Sequence, residues 1–178
     1  MTTFDGLLRE LEAAGLWRGI PGGCQIVSST LTTEDNAVWF GGGLWRADGE
    51  DLADGDVEMW LTEMTGALAE CGVRLEVATV RRPLEERSTG YTVRVNGQDI
   101  VLYDFDPEER DLPATEDPWT DCTIMPATAI NRLLEAAGSD CRLALFWPGS
   151  NDGISVLAPK AVLAAMDTHS HDVAPVIP

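Results

Sequence analysis

The sequence predicts an α+β fold: a single domain with a mainly antiparallel mixed sheet of about six or seven strands and about four helices packed mostly on one face. Three observations lead to this prediction. The length of 178 residues and the hydrophobic content of 44% suit one domain with its own core. The pair Asn96-Gly97 separates two alternating apolar segments, which is a strong hairpin signal. Segments with helical apolar spacing alternate with such hairpins along the chain.

The first part of the chain predicts one helix and two short strands. Residues 3–14 carry apolar side chains at helical spacing, and Gly15 follows as a natural stop. Short strands are predicted over 24–29 and 37–40. The three glycines at 41–43 indicate a turn and not a phosphate-binding loop, because neither a GK[ST] sequence nor a strand–GxGxxG–helix unit accompanies them.

Residues 48–58, the first acidic cluster, contain six acidic residues and no basic one. The alternating oxygen ligands and the closing glutamate of a calcium-binding loop are absent. We therefore interpret the cluster as a solvated loop in which Asp54 or Asp56 caps the next helix, where a negative charge complements the helix dipole.

That helix is predicted over 57–71, with Gly72 as its stop. Gly66 lies in its interior and suggests close packing against the sheet. The helix has the clearest amphipathic pattern in the chain, with apolar residues at i, i+3, i+4, i+7 and i+11. These residues are Val57, Trp60, Leu61, Met64 and Leu68.

The centre of the sheet is predicted from a strand over 73–80 and a hairpin with strands over 91–95 and 98–105. The two-residue turn fixes the hairpin register. It places Arg94 and Asp99 as an ion pair on one face and four apolar side chains on the other. The predicted pairs are Val95 with Gln98, Arg94 with Asp99, Val93 with Ile100, Thr92 with Val101, and Tyr91 with Leu102.

Residues 104–121, the second acidic cluster, predict a long irregular loop because three prolines interrupt it. The next helix is predicted to begin at Pro126, since proline suits the first helical position, and to end at Gly138.

A last hairpin is predicted from a strand over 141–147, buried on both sides, and a partner strand over 154–157, joined by a turn of turn-forming residues. A short helix over 159–166 follows, and the sequence from Asp167 onward predicts a frayed end. The predicted organisation is one domain over 1–168 and a flexible C-terminal tail over 169–178.

The formal charge of −18, from 12 basic and 30 acidic residues, excludes two classes of partner. Nucleic acid and anionic membranes both require a basic surface. The charge permits a basic protein partner or a cation, and it also arises where the composition of a proteome is acidic as a whole.

Four cysteines are widely spaced and form no CxxC pair, at Cys24, Cys71, Cys122 and Cys141. The N-terminus lacks the pattern of a secretory signal, and no apolar stretch reaches the length of a membrane span. We expect a cytoplasmic protein with reduced thiols. No metal site and no cofactor are predicted, because His169 and His171 lie in the predicted tail.

The sequence contains no GxSxG, HExxH, P-loop or kinase motif, so we expect no enzymatic activity and no catalytic residues. Trp45 and Trp119 lie beside the two acidic clusters. Aromatic side chains beside carboxylates suit the binding of a partner rich in lysine and arginine. The candidate partner-binding residues are Trp45, Asp48, Glu50, Asp51, Asp54, Asp104, Asp106, Glu108, Glu109, Asp111 and Trp119.

In size, acidity, α+β layout and lack of catalytic motifs, the chain resembles the small acidic immunity proteins that bacteria encode beside polymorphic toxins. The resemblance implies a protein that blocks the basic active site of a cognate toxin, such as one that acts on nucleic acid. Two alternatives remain open. One is a small-ligand-binding protein or enzyme with a pocket between sheet and helices. The other is a chaperone or assembly subunit of a secretion system, with an exposed apolar face.

Overall fold

The computed structural model describes residue 13, residues 43–82, 90–104, 117–169 and 176–178, and only the backbone of 165–169. The strands predicted over 24–29 and 37–40 lie outside these residues, as does the helix over 3–14 apart from Ala13, which is helical. The same holds for residues 105–116 of the second acidic cluster.

The α+β class and the antiparallel pairing are confirmed, but the described strands form two sheets and not one. The first sheet has the order β1-β6-β5, and the second has the order β2-β3-β4. The strands of the first sheet are β1 (Leu44–Arg46), β5 (Cys141–Phe146) and β6 (Ile154–Pro159). Those of the second are β2 (Val77–Arg81), β3 (Gly90–Val95) and β4 (Gln98–Asp104).

One long helix joins the two sheets. It packs against β4 of the second sheet and β5 of the first, and one continuous hydrophobic core extends through both contacts. The helices are α1 (Gly49–Asp51), α2 (Val57–Glu63), α3 (Thr65–Glu70), the long α4 (Pro118–Ala136) and α5 (Lys160–His169), with a π-helical turn at Leu52–Asp56 between α1 and α2.

The hairpin register is confirmed for its four pairs nearest the turn, up to Thr92 with Val101. The fifth pair is wrong, because a β-bulge shifts the register and Tyr91 faces Tyr103. Leu102 is the extra residue, and its side chain is still fully buried. The predicted ion pair is confirmed, since both nitrogens of the Arg94 fork donate to Asp99, at 2.6 and 3.0 Å.

The first acidic cluster is helical, so its interpretation as a solvated loop is wrong. Asp48 begins the helical segment, because its Oδ1 accepts hydrogen bonds from the main-chain N–H groups of Glu50 and Asp51 at 3.0 and 3.3 Å. Asp56 makes no capping hydrogen bond. Gly55, at φ +126°, makes a kink just before Asp56, and α2 begins after this kink without a side-chain cap. The side-chain cap therefore lies at Asp48, six residues before Asp54 and eight before Asp56.

The apolar face predicted for 57–71 is confirmed, since all five of its residues are buried. Met64 separates α2 from α3. Gly72 ends the segment in the left-handed region, at φ +83°, and the N–H of Val73 donates to Leu68 at 2.9 Å in a Schellman motif. Gly66 does not contact the sheet, because a Cβ built there would meet nothing within 4 Å.

The strand predicted over 73–80 begins later, at Val77, although the predicted alternation of burial is present from Val73 onward. The helix expected to begin at Pro126 begins at Pro118. Asp117 caps it by accepting from the N–H of Thr120 at 3.2 Å, and Pro118 occupies the first helical position. Pro126 is buried in the helix interior.

The last hairpin is confirmed, with Phe146 opposite Ile154, but two predictions about the chain end are wrong. Helix α5 continues to His169 and does not stop near residue 166. The predicted frayed end is wrong at residue 176, because Val176 pairs with Leu145 through two main-chain hydrogen bonds of 2.8 Å.

The side of β5 that faces away from β6 has all its main-chain polar groups satisfied. Cys141 donates to Ser139 Oγ and accepts from the side chain of Arg142. Leu145 is paired with Val176, and the Asn131 side chain satisfies Leu143. Every second residue of β5, from Cys141 to Leu145, therefore has hydrogen-bond partners for its outward main-chain groups.

Candidate functional site

The turn between β5 and β6 touches both the start of α1 and the start of α4. Gly49 donates its N–H to Ser150 O at 2.9 Å, and a Cβ built on Gly49 would lie 2.7 Å from the carbonyl carbon of Gly149. A Cβ built on Gly149 would in turn lie 2.2 Å from Thr120 Oγ1. Only glycine fits at these two positions, and the close approach locks the turn against two helix ends.

Trp147 lies at the first residue of this turn in a strained conformation. Its φ of +50° is in the left-handed region, which a bulky side chain rarely adopts. The side chain is 47% exposed, and its ring meets that of Phe146 with centroids 6.2 Å apart. Ser150 fixes the main chain, because its N–H and its hydroxyl donate to Trp147 O at 3.1 and 2.9 Å.

Trp119 lies in the first turn of α4 and is 40% exposed. Its neighbour Thr120 contacts Gly149, so both exposed tryptophans lie within two residues of the contact between α4 and the β5–β6 turn. The carbonyl of Trp119 accepts from the Thr123 hydroxyl at 2.8 Å. The main chain of Trp119 is therefore part of a hydrogen-bonded helical turn.

Exposed carboxylates border the same contact. Glu50 accepts from Asn151 Nδ2 at 3.3 Å, and Asp152 is the next residue of the turn. Asp117 accepts hydrogen bonds from the hydroxyl and the N–H of Thr120, which lower its pKa and keep it ionised. We call these residues the tryptophan–acid surface: Glu50, Asp117, Trp119, Trp147 and Asp152.

Two of the predicted partner-binding residues are buried and do not reach this surface. Trp45 is 8% exposed and Asp48 is 6% exposed. The carboxylate of Asp48 is occupied by the α1 cap and by Arg46. Both residues stabilise the fold beneath the surface, because they join β1 to α1.

The other described candidates are divided between this surface and its surroundings. Glu50 and Trp119 belong to the surface. Asp51 is exposed and lies 3.8 Å from Arg46, while Asp54 is exposed near Tyr103, whose hydroxyl donates to Ala53 O. Asp104 ends β4 and pairs with Arg81 at 3.2 Å. The remaining candidates lie outside the described residues: Asp106, Glu108, Glu109 and Asp111.

Sequence reasoning missed Trp147, Asp117 and Asp152. Trp147 is the last residue of the apolar run 141–147, and the sequence therefore places it in a strand buried on both sides. The turn formers from Pro148 to Gly153 gave a usable signal, since a tryptophan that opens such a turn lies at the end of its strand, where burial is least complete.

A groove of about 470 Å³ lies between β4 and α4, and no residue of the tryptophan–acid surface lines it. Apolar side chains line most of it, with Arg132 and Thr128 among the polar ones. The hydroxyl of Thr128 donates to Ile124 O within the helix. The Asp99 carboxylate is paired with Arg94, so two of the polar side chains that line the groove are already engaged within the protein.

In the part of the chain that the structure describes, no three histidine, cysteine or acidic side chains are grouped to hold a metal ion. None of the described helices is both long and apolar enough to span a bilayer. No protein family model, no curated protein and no solved structure matches the chain.

Proposed function

We propose that this chain is a non-enzymatic acidic binding protein that neutralises a basic protein partner, as an immunity protein neutralises its toxin, through the tryptophan–acid surface. The observation that carries the proposal is Trp147, an exposed tryptophan in the left-handed region. A left-handed residue costs about 1–2 kcal/mol, and such strain is concentrated at functional sites.

The chemistry of the surface suits arginine and lysine. Tryptophan is enriched among residues that dominate binding energy, and its ring face attracts a cation by about 0.5–2 kcal/mol. Carboxylates at Glu50, Asp117 and Asp152 then pair with further cations at the rim. The net charge of −18 accelerates the encounter with a basic partner.

A toxin that cleaves or modifies nucleic acid has a basic cleft for phosphates. Carboxylates bordering two indole rings resemble the combination of phosphates and stacked bases that such a cleft binds. The proposed mechanism is therefore occlusion of the cleft by an acidic aromatic surface, without any chemical step.

The test is binding to, and protection against, the protein encoded by the neighbouring gene. A triple variant, Glu50→Lys with Asp117→Asn and Asp152→Lys, keeps the α4 cap because asparagine caps as well as aspartate. We expect at least a 100-fold loss of affinity and loss of protection. The matched control has the same change of net charge, +5, at exposed acidic residues elsewhere. It combines Glu135→Lys, about 24 Å from Trp119 along α4, with Glu70→Lys and Asp140→Asn.

An equal loss of affinity in the control would show that binding depends on the net charge of the protein and not on this surface, which would contradict the proposal. Full binding by the triple variant, or no binding by the wild-type chain, would contradict the proposal.

The groove between β4 and α4 favours a second candidate function, the binding of a small apolar ligand. A ligand there would contact Met125 and Leu133, so Leu133→Trp should fill the groove and abolish binding while leaving the tryptophan–acid surface unchanged. Thermal-shift screening of small apolar molecules against the wild type and against Leu133→Trp separates the two functions.

A further inference from the structure

Cys71 and Cys141 lie together where two helices end and a strand begins. Cys71 is the C-cap of α3, and Cys141 is the first residue of β5. The ends of α3 and α4 are adjacent, because a Cβ on Gly72 would lie 3.9 Å from the Cβ of Ala137. Ser139, in the connection from α4 to β5, accepts a hydrogen bond from Cys141 N at 3.1 Å.

The Cys71 thiol lies close enough to the side chains of Cys141 and Ser139 to interact with both of them. Both side chains are partly exposed, so small molecules have access to them, whereas Cys122 is fully buried in the core. Burial, and then the neighbouring Cys141, raises the pKa of Cys71 to about 11. Cys71 is thus a protonated, slowly reacting thiol at neutral pH, because the thiolate is the reactive form.

We propose that Cys71 and Cys141 form a reversible disulfide with a low-molecular-weight disulfide, such as oxidised glutathione, as the oxidant. One cysteine loses its proton and attacks the oxidant, which releases one reduced glutathione and leaves a mixed disulfide. The other cysteine loses its proton and attacks the protein sulfur of that mixed disulfide, releasing the second glutathione. The two electrons lost by the protein sulfurs pass to the oxidant, and the two protons leave with the products.

The bond would join the end of α3 to the start of β5 and close a long loop of the chain. Closure of a long loop restricts the unfolded state and stabilises the folded one. Trp147 follows the other end of β5, about 20 Å from Cys141. The disulfide should therefore raise stability without altering the tryptophan–acid surface.

The experiment uses the full chain with Cys24→Ala, so that no cysteine outside the described residues reacts. The protein is incubated with oxidised glutathione at pH 8.5, digested without reduction and analysed by mass spectrometry. We expect a linked peptide pair containing Cys71 and Cys141, lighter than the sum of its parts by two hydrogen atoms. The Tm should rise by roughly 5–15 °C, and dithiothreitol should reverse the rise.

Cys71→Ser and Cys141→Ser should each abolish the linked peptide and the rise in Tm, while Cys122→Ala should retain both. The rate of attack by Cys71 should increase roughly 30-fold from pH 7 to pH 8.5, because the thiolate fraction of a thiol with a pKa of about 11 rises about tenfold per pH unit. Stable mixed disulfides with glutathione, or links between two chains, in place of the Cys71–Cys141 peptide would overturn the proposal.

Discussion

The side chain of Asn131 in α4 hydrogen-bonds both main-chain polar groups of Leu143 in β5. Its amide nitrogen donates to Leu143 O, and its amide oxygen accepts from Leu143 N, each at 2.8 Å. The amide nitrogen also donates to Pro178 O at 3.0 Å. A single buried side chain therefore takes the place of a neighbouring strand and connects the long helix, the first sheet and the last residues of the chain.

Asn131→Leu should destabilise the protein by about 2–4 kcal/mol. Leucine has nearly the same volume but leaves a buried N–H and a buried C=O without partners, and each such group costs about 1–3 kcal/mol. Urea unfolding measures the change. Thr62→Ala, which removes an exposed helical hydrogen bond to Glu58 O, should change stability by less than about 0.5 kcal/mol. A neutral Asn131→Leu variant would contradict the role assigned to Asn131.

Trp147→Gly should stabilise the fold by about 1 kcal/mol and weaken partner binding. Glycine adopts a φ of +50° without strain, although it adds freedom to the unfolded chain. Trp147→Phe keeps the strain and should show no gain in stability. Chemical denaturation and a binding titration on the same samples test both effects, and a large loss of stability in Trp147→Gly would show that the indole ring supports the fold.

Gly66→Ala should stabilise the protein by about 0.5–1 kcal/mol, because Gly66 is exposed within α3 and an added Cβ meets no atom. Gly149→Ala provides the opposite case. Its φ is +78°, and its Cβ would overlap Thr120, so we expect a loss of at least 2 kcal/mol. Thermal unfolding compares the stability of the two variants. Equal changes in stability would mean that the turn can shift to accommodate a side chain at residue 149.

Asp117 should contribute stability that depends on pH. Hydrogen bonds from the Thr120 hydroxyl and N–H lower its pKa below the ordinary 3.8 in the folded state. The stabilisation is fully present above pH 3.8 and is lost as the pH falls through the folded pKa. Asp117→Asn keeps the cap but cannot titrate, so its unfolding free energy should fall less below pH 3.8 than that of the wild type. If the unfolding free energies of the two proteins fall equally with pH, the ionised form of Asp117 does not stabilise the fold.

Local signals in the sequence were sufficient where one interaction decided the structure. Asn96-Gly97 gave the hairpin register, and Gly72 and Gly138 gave two helix ends. The spacing of apolar residues gave the buried face of α2 and α3. In each case the decisive atoms lie within a few residues of one another.

Other features depend on partners far along the chain, and the sequence did not reveal them. The bulge beside Tyr91 lets Tyr103 donate to Ala53 O, a contact between residues 50 positions apart. Trp147 opens a turn whose Gly149 approaches Thr120, a residue 29 positions away. The start of α4 was misplaced because Pro118 and Pro126 both suit a first helical turn, and only the Asp117 cap distinguishes them.

The main-chain polar groups on the outer side of β5 are all hydrogen-bonded, and this limits how another protein can bind there. A partner cannot dock there by adding its own backbone as an extra strand, since every outward main-chain group of Cys141, Leu143 and Leu145 is already occupied. For the same reason, copies of this chain cannot associate into fibrils by pairing strands at this edge. The binding proposed for the neighbouring tryptophans would therefore use side-chain contacts and not a strand added at this edge.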